Sequence, residues 1–191
     1  MIRFKKRTNS NKIVRRNLII FNTKGQLIND QKVINIVDVL VTKRLSIVKL
    51  DPNYRTNIYR HIACFLHGSQ GGMKKVTTGE NSQREAWKGC KYGTHAEVDA
   101  LNHLPPPQEL KAYKKTINLI VIRIDLNGNL KNSKPCFKCI EYLRKIRGYK
   151  LRYVYYSDDN GNILMEKFND LLNSENKHVS RRFRTKIKLS I

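Results

Sequence analysis

The densest apolar stretch of the chain runs from Ile117 to Ile124, where Ile, Leu and Val crowd around Asn118 and Arg123. A short run of this kind predicts a strand buried in the middle of a sheet. Asn127-Gly128-Asn129 predicts a turn after it. Tyr149 to Tyr156 predicts a further strand, ended by Asp158-Asp159-Asn160-Gly161. Upstream, His61–Leu66 and Lys74–Thr78 predict a hairpin across Gly68-Ser69-Gln70-Gly71-Gly72. Two intervening segments carry a helical period instead. Val98, Ala100, Leu101 and Leu104 recur on one face until Pro105-Pro106-Pro107 stops the run, with Thr94 as the expected N-cap. Pro135 suits the first turn of a second helix, in which Cys136 and Cys139, three apart, share one face. Near the start, Leu18–Phe21 predicts a short strand. Val33, Ile36, Val37, Leu40, Val41 and Val48 then read as an amphipathic helix, with so many β-branched residues that a strand pair is also open. The order strand, strand, helix, strand, helix, strand is an α/β layered pattern.

The chemistry sits at the starts of the two helices. His95-Ala96-Glu97 and Pro135-Cys136-Phe137-Lys138-Cys139 supply one imidazole, two thiolates and a carboxylate. One imidazole and two thiolates suit a tetrahedral Zn²⁺ that keeps a fourth position for water. Glu97, two residues from His95, is placed to move protons without being a ligand. The helix N-termini would favour thiolate over thiol. The plainer readings are a structural zinc site, a redox pair, or core residues with no shared role.

This H-x-E…P-C-x-x-C arrangement resembles the zinc-dependent cytidine/deoxycytidylate deaminase superfamily. The resemblance covers roughly residues 55–170. It implies a three-layer cytidine-deaminase-like fold, a mixed central sheet flanked by helices, and a hydrolysis in which cytosine becomes uracil. By the same resemblance, His95, Cys136 and Cys139 would hold Zn²⁺ and Glu97 would shuttle the proton. Gly79-Glu80-Asn81 is similar to the family's G-x-N, whose Asn holds the sugar, although Gly and Asn suit an ordinary turn equally. Backbone groups around Ser133 would accept from the exocyclic amine, and Tyr156 would lie beside the base. His178-Val179-Ser180-Arg181 is similar to a tail of some viral and phage-type members. Free-nucleoside deaminases generally carry Cys at the place of His95. The tRNA adenosine deaminases typically carry Glu at the place of Lys134. Cytosine is therefore favoured over adenine, and the motif leaves mononucleotide and polynucleotide open.

Charge tilts that choice. The 191 residues hold 38 Lys and Arg against 15 Asp and Glu, a formal net charge of +23. Seven of the basic residues lie within 1–16 and five within the last fourteen, both segments without an acid. Eight more lie within 131–152 against Glu141 alone. A solvated basic face is the ordinary meaning of such runs. Here the middle cluster surrounds the Cys helix, which favours a polyanion, with Lys134, Lys138, Arg144 and Arg147 as the expected contacts to single-stranded DNA or RNA. A basic assembly component that keeps the fold without turnover is the competing reading, opposed by the intact Glu97. A homo-oligomer or a larger assembly is compatible with either.

The remaining features narrow the setting. The length suits one domain with extensions: a basic arm over 1–16, an extension over 17–54, a deaminase domain over 55–172 and a basic tail over 173–191. Cys64 and Cys90 remain as incidental thiols, a usage that fits a reducing compartment. The first sixteen residues lack the apolar core of a signal peptide, and no stretch reaches membrane-spanning length. The expected location is intracellular, or in the host cell or virion if the chain is viral.

Overall fold

The structure, a computed structural model, describes residues 17–50, 59–68, 74–81, 94–106, 115–175 and 178–179, with backbone alone over 47–50. Along the chain these form β1 (Ile20–Asn22), α1 (Gln31–Leu50), β2 (Tyr59–His67), β3 (Lys74–Glu80), α2 (Ala96–Asn102), β4 (Lys115–Asp125), β5 (Leu130–Lys131), α3 (Phe137–Arg144), β6 (Tyr149–Ser157), β7 (Ile163–Lys167) and α4 (Phe168–Asn173). The expected hairpin, central strand, two motif helices and following strand all form. The basic arm, Cys90 and the tail beyond Val179 lie outside the described residues.

The strands make one mixed sheet of seven, ordered β1-β7-β6-β4-β2-β3, with β5 on the end of β4. β4 sits at its centre, antiparallel to β2 and parallel to β6. Its side chains alternate between two cores. Ile120, Ile122 and Ile124 pack with Val33, Val37, Leu40 and Val41 of α1. Ile117, Leu119 and Val121 pack with Ala96 and Ala100 of α2, Ile140 and Leu143 of α3, and Phe168 and Leu171 of α4. The result is three layers: α1, the sheet, then α2, α3 and α4.

The valine-rich segment is a helix, and its surroundings say why. A buried Asp30 accepts from the Val33 amide at 3.3 Å, capping the N-terminus, and from the Tyr155 hydroxyl at 3.2 Å. Burial of Val33, Val37 and Val41 against the sheet then outweighs the small helix penalty of β-branched side chains. β1 pairs in parallel with β7, so elements of the 17–54 segment are built into the same sheet and core.

Some local expectations are corrected. His95, not Thr94, is the N-cap of α2, and Cys136, not Pro135, opens α3. Both caps have extended backbone (ψ 150 and 160), which leaves their side chains outside the helical turn. β5, β7 and α4 were not expected from the pattern. Asp158–Gly161 is a hairpin turn rather than only a strand end: the Asp158 carboxylate accepts from the Asn160 and Asn162 amides at 2.9 and 2.8 Å. Gly161 sits at φ 85, and β7 returns antiparallel to β6. Among the described residues no helix is long and apolar enough to cross a membrane.

Candidate metal centre

The N-termini of α2 and α3 meet over the end of the sheet, and each contributes its cap residue. Neither His95 nor Cys136 caps its own helix with its side chain. His95 Nδ1 lies 3.1 Å from Cys139 Sγ and 3.5 Å from Cys136 Sγ, and the two sulfurs are 3.6 Å apart. Tetrahedral bonds of about 2.3 Å to sulfur and about 2.0 Å to nitrogen place such donors roughly 3.5–3.8 Å from one another. The three side chains can therefore hold a metal ion with little movement.

The thiols are prepared for it. A hydrogen bond from Cys139, larger in effect than burial, pulls the Cys136 thiol down to about 4. Cys139 is pushed upward because it supplies that hydrogen bond and is itself buried. The pair thus shares one negative charge, and a bound cation would favour a second. Glu97 is buried in the first turn of α2, and burial raises its carboxyl above the usual range against the pull of its hydrogen bonds, one of them with Cys139.

Both helices are pinned to the sheet. The Asp99 carboxylate of α2 accepts from the Glu80 amide of β3 at 3.0 Å. Ser133, on the approach to α3, is 3 % exposed and fully engaged. Its hydroxyl donates to the Val121 carbonyl at 2.7 Å and accepts from the Ser157 amide at 2.8 Å. The Phe137 amide at the start of α3 donates to the His178 carbonyl at 3.0 Å, so the chain beyond α4 returns to the site.

A cavity of about 420 Å³ opens beside the centre. His95, Cys136 and Glu97 line one side of it, with Asn81, Ser133, Lys134, His61, Arg123 and His178 around the rest. Its size lies within the range of small-molecule sites. Asn81 continues the β2–β3 ladder with its side chain. Oδ1 accepts from the His61 amide at 2.9 Å, and the Asn81 amide donates to the His61 carbonyl at 3.2 Å. Among the described residues Nδ2 has no partner.

Of the residues singled out in the sequence, His95, Glu97, Cys136, Asn81, Ser133 and Lys134 come together around this cavity, with Cys139 behind them. Tyr156 does not line it: the ring is buried and its hydroxyl donates to Glu166 Oε2 at 2.9 Å. Lys138, Arg144 and Arg147 are exposed on or just past α3, outside the cavity lining. Arg144 pairs with Glu141 at 3.1 Å. Sequence reasoning did not place His61, Arg123 or His178 at the site, although His178 was noted in the family-like tail. The usable signal was Arg123, a charge interrupting the most apolar strand. Burial, then Arg123, His95 and His178, push the His61 imidazole down to about 4, so it is neutral at neutral pH.

Compared with protein-family models, curated proteins and solved structures, the chain matches none.

Proposed function

We propose that the chain is a zinc-dependent hydrolytic deaminase that converts cytosine to uracil, in single-stranded nucleic acid or in a (deoxy)cytidine nucleotide. One observation carries the reading: a buried carboxyl, Glu97, stands against a His-Cys-Cys donor set without belonging to it, at the wall of a cavity. A purely structural metal has no use for such a group.

Bound at His95, Cys136 and Cys139, Zn²⁺ would supply a water of lowered pKa and an open coordination position. Glu97 would relay the two protons of the attacking water, one to ring N3 of the base and the other to the departing amine. Water and the cytosine amidine are consumed, and uracil and ammonia are released. Asn81 offers Nδ2 to the sugar. Ser133, held rigid by Val121 and Ser157, fixes the backbone that would receive the exocyclic amine. Cytosine is preferred to adenine because Ser133-Lys134-Pro135-Cys136 resembles the motif of cytidine rather than tRNA adenosine deaminases. The exposed Lys138 and Arg147 favour a nucleic-acid partner.

The test is an assay of purified, zinc-loaded protein on dCMP, CMP and cytosine-containing single-stranded DNA and RNA, following uracil and ammonia. Turnover by the wild type, abolished in Glu97→Ala with metal retained, is the expected result. Zinc in place with no cytosine substrate converted overturns it.

A further inference from the structure

The sheet face under α2 and α3 changes character along its length. At the register pair Ala63 and Val121 it is apolar and buried. Two residues further along each strand, His61 stands opposite Arg123, and beyond them Tyr59 stands opposite Asp125. An arginine facing a histidine across a ladder gains nothing from its partner. Among the described residues no carboxylate lies within ion-pair distance of Arg123. Asp125 spends its Oδ1 on the Asn127 and Asn129 amides, at 2.9 and 2.8 Å, inside its own turn. The Arg123 guanidinium lies over the Tyr59 ring, 4.2 Å from its centroid, and its Nε is buried without a hydrogen-bond partner among the described residues. Yet the side chain lines the same cavity as Glu97, the sole carboxylate among the described residues of that lining. Lys134, the other fixed cation there, already has Glu166 Oε2 at 3.8 Å.

A half-buried guanidinium without a counter-charge among the described residues is costly to keep, and stacking on Tyr59 fixes its plane. Such a rigid fork matches the paired oxygens of a phosphate. We propose that Arg123 anchors a phosphate subsite in this cavity, and that the substrate enters it as a phosphate ester. The proposal rests on the deaminase reading for the base, not for the phosphate. The neutral His61 beside Arg123 is then available as an uncharged hydrogen-bonding group. The phosphate is either the 5′-monoester of a nucleotide or a diester of a polynucleotide backbone; the chemistry at Arg123 is the same.

Arg123→Met keeps the stem on Tyr59 and removes the fork, whereas Arg123→Lys keeps charge without bidentate geometry. Two readouts apply to the zinc-loaded protein: kcat/KM for dCMP, deoxycytidine and a single-cytosine DNA oligonucleotide, and calorimetric binding of dUMP. In Arg123→Met the phosphate-bearing substrate is expected to lose about 10- to 100-fold, as expected for a charged hydrogen bond. Deoxycytidine should lose much less than the phosphate-bearing substrates, and Arg123→Lys should fall between. A loss confined to dCMP assigns a monoester, and a loss confined to the oligonucleotide assigns a diester. If Arg123→Met does not fold, Arg123→Lys decides by the same comparison. Equal losses on phosphorylated and unphosphorylated substrates overturn the subsite, as does turnover of deoxycytidine as efficient as that of dCMP and the oligonucleotide. If nothing is deaminated but dUMP binds the wild type and not the variants, the subsite stands and the deaminase reading falls. If neither is seen, both fall.

Discussion

Gly79 of β3 crosses α2 so closely at Ala100 that a Cβ built on the glycine would overlap the helix backbone there. Its φ is not positive, so the position needs space and not unusual backbone freedom. In the sequence, Gly79-Glu80-Asn81 suited either a turn or a sugar contact. Gly79 instead sets how deep α2 sits against the sheet, and therefore where His95 and Glu97 stand.

Gly79→Ala is accordingly expected to push α2 outward and destabilise the fold by about 1–3 kcal/mol, the usual cost of overpacking. Chemical denaturation measures the loss, and metal affinity should fall with it because His95 moves with the helix. A variant as stable as the wild type, with unchanged metal affinity, would show that the approach is looser than the structure has it.

The metal centre predicts a division among the thiols. Cys64 is fully buried, and burial pushes its thiol up to about 11, so in the folded protein it should resist alkylation. Cys136 and Cys139 should be protected by bound metal and become reactive once a chelator removes it. One zinc per chain is expected by elemental analysis, with near-normal content in Glu97→Gln and little in the Cys136→Ser/Cys139→Ser double variant. Zinc undiminished in the double variant would place the metal elsewhere.

How much of this was legible beforehand follows from where the determining physics lies. The His-Cys-Cys set is visible because metal ligation demands particular residue types at short spacings, Cys136 and Cys139 above all. The β4 run is visible because a strand buried on both faces needs apolar residues on both. α1 was open between helix and strand because its valines favour neither decisively; burial against β4 and the Asp30 cap settle it. β7 was missed because Ile163–Lys167 is short and becomes a strand only by pairing with β6 and β1. The cavity's sheet-side residues were missed for a related reason. His61 and Arg123 are 62 positions apart in the sequence, and only the β2–β4 register makes them neighbours. Tyr156 shows the converse. Its place in the strand suggested a wall beside the base, but its hydroxyl is directed to Glu166.

His61 predicts an acid-sensitive component of stability. Its pKa is lowered to about 4 in the fold, first by burial and then by Arg123, His95 and His178, from an ordinary value of 6.5. Between those values the unfolded chain binds a proton that the folded chain refuses, so stability falls as pH drops from about 6.5 toward 4. Above 6.5 the group contributes no pH dependence. Denaturation at pH 7, 5.5 and 4.5 should show a steeper loss for the wild type than for His61→Asn. Protonation of the metal ligands acts on both proteins and cancels in the comparison. Parallel curves would mean that His61 titrates normally.

The exposed basic residues around α3 predict an unequal response to charge reversal. Lys138 is exposed, its ammonium lies 5.2 Å from the Phe137 ring centroid, and it forms no ion pair among the described residues. Arg144 is exposed too, but Glu141 already neutralises part of its charge. Arg147 is exposed just past the helix and forms no ion pair among the described residues. If this surface meets single-stranded nucleic acid, affinity should fall linearly with the logarithm of salt concentration. Every phosphate that a variant no longer neutralises should flatten that slope by about 0.7. Lys138→Glu and Arg147→Glu should therefore flatten it more than Arg144→Glu. All three should leave dCMP turnover near normal, since none lines the cavity. Deleting residues 1–16, which carry seven basic residues and no acid, should flatten it further. Fluorescence anisotropy with a labelled oligonucleotide across a salt series reads every slope. An affinity indifferent to salt, or no binding at low salt, would return these charges to an ordinary solvated surface.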